Sequence, residues 1–378
     1  MISDCSIMSS SVPQPPRWWA DRPTGEGDLR ILLVCGRLAW STSTRHAFSL
    51  AKGLLALEHQ VQLVGFPGPA IERFRKLGIE VYDFHGSWFP YRRLIGFLRE
   101  YSPDVVHAVG GKGALTIATR IARNIESPLI HTVHSWLAND RTLRLPRNIA
   151  GVIAVNQDLR ENLVNSLGVK KSLVRVIPYG IEDPGPIPVQ LPITERIPTI
   201  GTIGRLVPGR RLDDFLNAAR LISDQLGEVL FPILGEGPDE GRLRRVCRKL
   251  DLEGSVTFAE PPASLDAVYG SFDLFVLVSD WGGVGVHLLE GMVRGKSVIA
   301  TGGGDVLSFL GEEGICELVP PGEPDLLARA SLDLLADPAR GEKIGLRARE
   351  HVLQHYPARE MLAQTEAFYA SLRETAHA

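Results

Sequence analysis

The chain has 378 residues, 44% of them hydrophobic, and a formal net charge of −3. It is too long for one compact core and too apolar for a disordered chain, so two folded domains are expected. The near-neutral balance argues against a nucleic-acid partner, the four dispersed cysteines make no C-x-x-C zinc or redox pair, and no run of 18 apolar residues offers a membrane span.

Residues 1–28 lack the apolar stretch of a signal peptide and read as a loose Ser/Pro/Gly tail. Docking of its Trp18–Trp19 pair on the body stays open. From residue 29 the pattern alternates between strand and helix. ILLVC (31–35) is a strand, HAFSLAKGLLALEH (46–59) has helical spacing, and VQLVGF (61–66) is a second strand. IERFRKLG (71–78) ends on a helix-stopping glycine before IEVYDF (79–84). DVVHAVG (104–110), LIHTVHS (129–135), GVIAVN (151–156) and VRVIPYG (174–180) are further strands. Their unbroken apolar character marks parallel strands covered on both faces.

The stretch 182–198 carries five prolines and reads as an interdomain linker. The alternation then restarts with TIGTIG (199–204), LDDFLNAARLISDQLG (212–227) and VLFPILG (229–235). It runs on through GRLRRVCRKLDL (241–252), SVTFAE (255–260), LFVLVS (274–279), VHLLEGMVRG (286–295), SVIAT (297–301) and CELVPP (316–321). Residues 325–336 and 340–375 have helical spacing. The expected fold is α/β, with two doubly wound Rossmann-like domains facing a cleft. The boundaries are a tail at 1–28, a first domain at 29–184, a linker at 185–198 and a second domain at 199–350. A C-terminal helical segment, 351–378, is expected to cross back to the first domain. Ligands of such sheets sit at the strand carboxyl ends, so chemistry is sought in the cleft.

The loop GRLVPGRR (204–211) brings Arg205, Arg210 and Arg211 to a strand end, where guanidinium forks match phosphate oxygens. A solvated basic loop is the plainer reading. The glycine loop 282–285 runs into a helix start, a place that favours anions. Glu290 sits on an apolar helix and needs donors, either ribose hydroxyls or Arg294 four residues on. His134 ends a first-domain strand and is expected to face the cleft. His107 and His131 read as structural, and His287 has no assigned role. SWFPYRRLIGFLRE (87–100) reads as a core-facing helix with a solvated edge, with contact to an anionic membrane surface as the alternative.

Together these pieces resemble the group 1 glycosyltransferases, a retaining, nucleotide-sugar-dependent family of the GT-B fold. The motifs that carry this lie in TIGTIGRLVPGRR, ILGEGPDEGRLRRVCRKL, SFDLFVLVS, GGVGVHLLEGMVRGKSVIAT and ELVPPGEPD, with DVVHAVGGKGAL, TVHS and VRVIPYGIE before them. The resemblance implies that Arg205 and Arg210 hold the donor diphosphate, with arginine at 210 where the family has lysine. It implies that Glu290 holds the ribose and that Gly283, Val284 and Gly285 approach sugar and phosphate. Phe258 and Ala259 would flank the base, and His134 would face the sugar. No metal or cofactor is implied beyond the nucleotide-sugar substrate. The implied acceptor is a glycan or lipid-linked hydroxyl, at the cytoplasmic side or peripherally at the inner membrane surface.

Two departures stand out. The family's first glutamate falls on Gly282, leaving Asp280, about 6–7 Å along the strand, as the candidate replacement. The family's Gly-Gly turn after the first strand falls on Ser41–Thr42. A non-catalytic or weakly active relative that binds a nucleotide or a partner protein is therefore the alternative function.

Overall fold

A computed structural model describes residues 28–83, 88–134, 145–187, 195–262, 264–280, 285–302 and 314–377. Trp18, Trp19, Gly282, Gly283 and Val284 lie outside the described residues. The first domain runs β1 (Arg30–Arg37), α1 (Thr42–Ala56), β2 (Gln60–Phe66), α2 (Ile71–Lys76), β3 (Glu80–Asp83) and α3 (Trp88–Tyr101). It continues through β4 (Val105–Val109), α4 (Lys112–Ile125), β5 (Leu129–Val133), β6 (Ile149–Ala154), α5 (Gln157–Glu161) and β7 (Val174–Val176). The second has β8 (Ile200–Ile203), α6 (Leu212–Leu226), β9 (Phe231–Leu234), α7 (Glu240–Lys249), β10 (Val256–Ala259) and α8 (Asp266–Ser271). Then come β11 (Leu274–Leu277), α9 (Val286–Val293), β12 (Ser297–Thr301), β13 (Glu317–Val319), α10 (Pro324–Ala336), α11 (Pro338–His355) and α12 (Ala358–His377).

Each domain holds one sheet, and every described strand pair is parallel. The orders are β3-β2-β1-β4-β5-β6-β7 and β10-β9-β8-β11-β12-β13. Both reverse beside their first strand, between β1 and β4 and between β8 and β11, and the crevices open at these switch points. Strand β1 shows why the sheet is covered on both faces. Ile31, Leu33 and Cys35 pack with α1 and α12 on one side. Leu32 and Val34 pack with α3 and α4 on the other. Alternate side chains point to opposite faces, and here both are dry. Each such leucine or isoleucine stabilises by roughly 1.5–3 kcal/mol.

Helix α1 starts four residues earlier than its apolar spacing predicts. Ser41 caps it, its Oγ accepting from the Thr44 N–H at 3.4 Å. Helix α3 buries Tyr91, Leu94, Ile95, Leu98 and Tyr101 and turns Arg92, Arg93 and Arg99 outward, so it is the core-facing helix with a charged edge.

The helical stretch expected at 340–375 is two helices. Pro357 has no N–H to donate and disfavours helical backbone at Tyr356, so the chain breaks there. The freed groups pair with Ile181, just after β7, in an isolated parallel bridge: Ile181 N–H donates to Tyr356 O (2.8 Å) and Ala358 N–H to Ile181 O (3.1 Å). Gly180 permits this crossing, because a Cβ there would lie 2.6 Å from Ala358 Cα. Helix α11 packs in the second domain, and α12 packs on α1 and β4 of the first. Tyr369 of α12 bonds His107 Nδ1 at 2.6 Å, and Glu366 meets His59 Nε2 at 3.0 Å.

Candidate active site in the interdomain cleft

Three segments that follow switch-point strands meet across the cleft: Leu38–Ser41 after β1, Gly204–Arg211 after β8, and Val278–Asp280 after β11, with Gly285 at the start of α9. The second of these carries three arginines, and the structure sorts them. Arg211 adopts a left-handed backbone (φ 45°). Its guanidinium is held by Asp214 (2.6 Å) and Asp280 (2.9 Å). Asp214 also accepts from Gly322 N–H at 2.9 Å. Arg205 and Arg210 meet no carboxylate among the described residues. Arg205 is exposed and Arg210 half-buried. Burial lowers the Arg210 pKa, Tyr179 raises it and Arg205 lowers it further. Gly285 sits at the start of α9, and a Cβ on it would stand 4.0 Å from Arg210 Nη2. Two positive side chains and the free N–H groups of a helix start therefore share one corner of the cleft.

Glu290 lies one and a half turns along α9. Its expected plain partner does not take it: Arg294 bonds Asp266 (2.6 Å) and gives Glu290 only a bond to the backbone carbonyl (2.8 Å). The Glu290 carboxylate faces Arg45 of α1 at 4.0 Å and His287 Nδ1 at 3.5 Å. Its Oε2 is buried and, beyond this long approach of His287, meets no donor among the described residues. Burial works to raise the Glu290 pKa, but His287, Arg45 and Arg294 outweigh it, so the group sits below its ordinary value and stays ionised. A cavity of about 220 Å³ opens beside it, between α1 and α9. It is lined among others by Trp40, Arg45, Arg73, Tyr179 and Leu265. A smaller one, about 50 Å³, joins Ser41 and Thr42 to Arg205, Glu236 and His287.

His134 lies just past β5, one layer behind the larger cavity. Its Nδ1 meets Tyr179 Oη at 3.1 Å, and Nε2 has no hydrogen-bond partner among the described residues. Its ring stacks on Tyr179 and meets His46 edge-on at 5.2 Å. Burial, then His46, His131 and His107, push its pKa well below the usual histidine range, so the ring is neutral. Asp280 ends the segment after β11 with its carboxylate on Arg211. Phe258 packs on the second-domain core beneath the Arg244 guanidinium, at 4.7 Å. Ala259 is exposed, and the residues after it, Glu260 and Pro261, reach the smaller cavity.

The start of α9 and the arginine loop were readable; the partners of Glu290 were not. Arg45, Ser49 and Lys52 all line the larger cavity. Their i, i+4, i+7 spacing is the one local signal that could have marked α1 as a cleft wall. His287 gave no signal, because its meaning depends on Glu290 one turn away.

Comparison with known proteins supplies the family. Residues 197–337 match the family described as "Glycosyl transferases group 1", and residues 43–183 match "Glycosyltransferase Family 4". This chain belongs to the group 1 glycosyltransferases. It is 26% identical to the D-rhamnosyltransferase WbpZ of Pseudomonas aeruginosa, over 80% of this chain and 77% of that one. It is also 26% identical to the N-acetyl-alpha-D-glucosaminyl L-malate synthase of Bacillus anthracis, over 42% of each. The chain spans less than half the length of several curated relatives that it matches. Among solved structures, Anabaena Alr3699/HepE in complex with UDP and glucose superposes with a TM-score of 0.78. That match has 19% identity and covers 91% of this chain and all of the other. The two facing sheets are the GT-B fold of this group 1 glycosyltransferase.

Proposed function

We propose that this chain transfers a hexose from a nucleoside diphosphate to an acceptor hydroxyl, with retention at the anomeric carbon. The observation that carries this reading is a pair of cations, Arg205 and Arg210, that meet no carboxylate among the described residues and lie beside the start of α9. A charge left unpaired in a cleft is costly unless a ligand supplies the counter-charge. A diphosphate does so, and guanidinium forks match its oxygens. In the reaction the acceptor oxygen bonds to the anomeric carbon while the bond to the diphosphate oxygen breaks. The diphosphate leaves with the electron pair, and the acceptor proton passes to a phosphate oxygen on the same face. Arg205, Arg210 and the α9 N–H groups stabilise the charge that develops, in place of a metal ion. Glu290 holds the ribose, and neutral His134, fixed by Tyr179, orients the sugar.

The relatives' names and the UDP and glucose held by the Anabaena protein support a nucleotide-hexose donor and a glycan or lipid-linked acceptor. The edge of α3 with Arg92, Arg93 and Arg99 is suited to an anionic membrane surface on the cytoplasmic side. Among the described residues no helix is long and apolar enough to cross a membrane. One observation favours a second reading, a nucleotide binder without turnover: Asp280, the candidate sugar carboxylate, is engaged by Arg211.

The test is calorimetric titration with UDP and GDP, and release of free sugar from UDP-glucose and GDP-mannose with water as acceptor. Binding and slow release, both weakened tenfold or more by Arg205→Ala, support the transferase. Binding without any release favours the second reading, and no binding of either nucleotide sinks both.

A further inference from the structure

Tyr179 follows β7 by three residues, is buried, and lines the larger cavity together with His46. Its Oη stands 3.1 Å from His134 Nδ1 and 3.5 Å from the His134 carbonyl oxygen. The Tyr179 and His134 rings stack. The His46 ring meets both edge-on, 5.2 Å from His134 and 5.6 Å from Tyr179. Turning any one ring would break contacts with the other two, so packing holds the His134 plane. Tyr179 also feels the charge of Arg210, so this triplet adjoins the corner where the arginines gather.

The distances decide where the protons lie. Burial pushes the Tyr179 phenol up, so it keeps its proton and must donate it. The carbonyl at 3.5 Å is at the outer limit of a hydrogen bond, whereas Nδ1 at 3.1 Å is within range. Nδ1 therefore accepts. The ring is neutral, so its one N–H is on Nε2. That nitrogen is buried and has no hydrogen-bond partner among the described residues. His134 thus presents an unanswered N–H rather than a lone pair. Its complement is an oxygen acceptor, such as a sugar hydroxyl or ring oxygen, and it has no site there to take up a proton.

We infer that Tyr179 is a positioning residue that fixes His134 as the tautomer protonated on Nε2. His134 then serves the donor sugar as a hydrogen-bond donor and not as a base. This rests on the reading above, in which His134 orients the sugar. It adds which proton does so and which residue holds it there. The acceptor proton accordingly passes to the phosphate oxygen without a stop on His134.

The experiment is long-range proton–nitrogen NMR of the full chain labelled at histidine, with the His134 signals assigned by their loss in His134→Gln. Wild type is expected to show His134 protonated at Nε2 and bare at Nδ1. Tyr179→Phe is expected to add a fraction protonated at Nδ1. Sugar release from the nucleotide sugar gives the second readout. Tyr179→Phe should lower kcat about tenfold, the size of one buried hydrogen bond, and leave KM nearly unchanged. His134→Gln places an amide N–H near the position of Nε2, and His134→Asn places one near Nδ1. The glutamine variant is therefore expected to keep more turnover than the asparagine variant. A wild-type His134 protonated at Nδ1 overturns the proposal, as does a tautomer that Tyr179→Phe leaves unchanged, or an asparagine variant that outperforms glutamine. Ligand-free melting temperatures establish that each variant is folded, and the wild-type tautomer decides if Tyr179→Phe is not. Failure of the transferase reading looks different: wild type then releases no sugar, while the NMR outcomes still decide the Tyr179–His134 pair.

Discussion

On the first-domain side of the cleft the buried histidine rings are neutral and mostly engaged with the protein, whereas on the second-domain side two arginines meet no carboxylate among the described residues. His107 spends both ring nitrogens on protein, Nδ1 on Tyr369 at 2.6 Å and Nε2 on Thr132 at 2.7 Å. His131 meets the Ala108 carbonyl at 3.1 Å. His46 meets His134 and Tyr179 edge-on, and His134 stacks on Tyr179. Across the cleft, Arg205 and Arg210 meet no carboxylate among the described residues, and Glu290 Oε2 has no hydrogen bond there either. A satisfied neutral network specifies shape and adds stability; an unsatisfied charge is held in reserve for a ligand. Affinity for an anionic donor should therefore reside in the second domain. The first domain supplies a rigid wall.

Acid should break this contrast most severely. Burial lowers His46 and His131 to about 4, and His107 and His134 lie well below the usual 6.5. In the unfolded chain these rings titrate near pH 6.5. Between pH 6.5 and 4 the unfolded state therefore binds more protons than the folded one, and stability falls as pH falls. The slope is up to about 1.4 kcal/mol per pH unit for each histidine. Denaturant melts at pH 7.5, 6 and 5 should show a steep loss of midpoint. A flat profile across that range would mean that the rings are not held neutral.

His107→Leu is the next largest test. It keeps the volume but leaves Tyr369 Oη and Thr132 Oγ1 buried without their partner. Each orphaned group costs about 1–3 kcal/mol. The melting temperature should drop by many degrees and α12 should loosen from β4, while nucleotide affinity per folded molecule holds. Arg210→Met should do the reverse. Nucleotide affinity should fall about tenfold to a hundredfold with loss of charge-assisted contacts to phosphate. Melting of the ligand-free protein should stay or rise, because a partly buried cation without an acid is removed. If Arg210→Met destabilised the free protein as His107→Leu does, the division between the walls would be wrong.

Much of the architecture was legible in the sequence because parallel strands covered on both faces must be apolar runs, and β1, β4, β5 and β12 are. The loops after them were legible too, since switch points place ligands there. What stayed hidden depends on distance in the fold. The break at Pro357 was readable as a proline, but its pairing with Ile181 was not. The positions of Arg205, Arg210 and Glu290 were found by motif. That Arg211 differs from its neighbour Arg210 was not, because the difference is made by Asp214, Asp280 and a left-handed backbone. Arg45 was given no role in the sequence, although its guanidinium faces Glu290 at 4.0 Å.

The smallest predicted effect concerns Asp280, where the two walls' logic meets one residue. Asp280 is 41% exposed and Arg211 32%, so their ion pair is screened and worth at most about 1 kcal/mol. Asp280→Asn keeps the shape and still accepts a bond from Arg211. If Asp280 only steadies Arg211, melting should barely move and sugar release should fall less than about threefold. A hundredfold loss of release with unchanged nucleotide affinity would instead give Asp280 the sugar contact that Gly282 cannot make. Gly282→Glu sharpens the comparison from the other side. If the cleft lacks a sugar carboxylate, the added one should raise release from the nucleotide sugar without changing affinity for the bare nucleotide. If Asp280 already fills that role, the second carboxylate should bring repulsion and a loss.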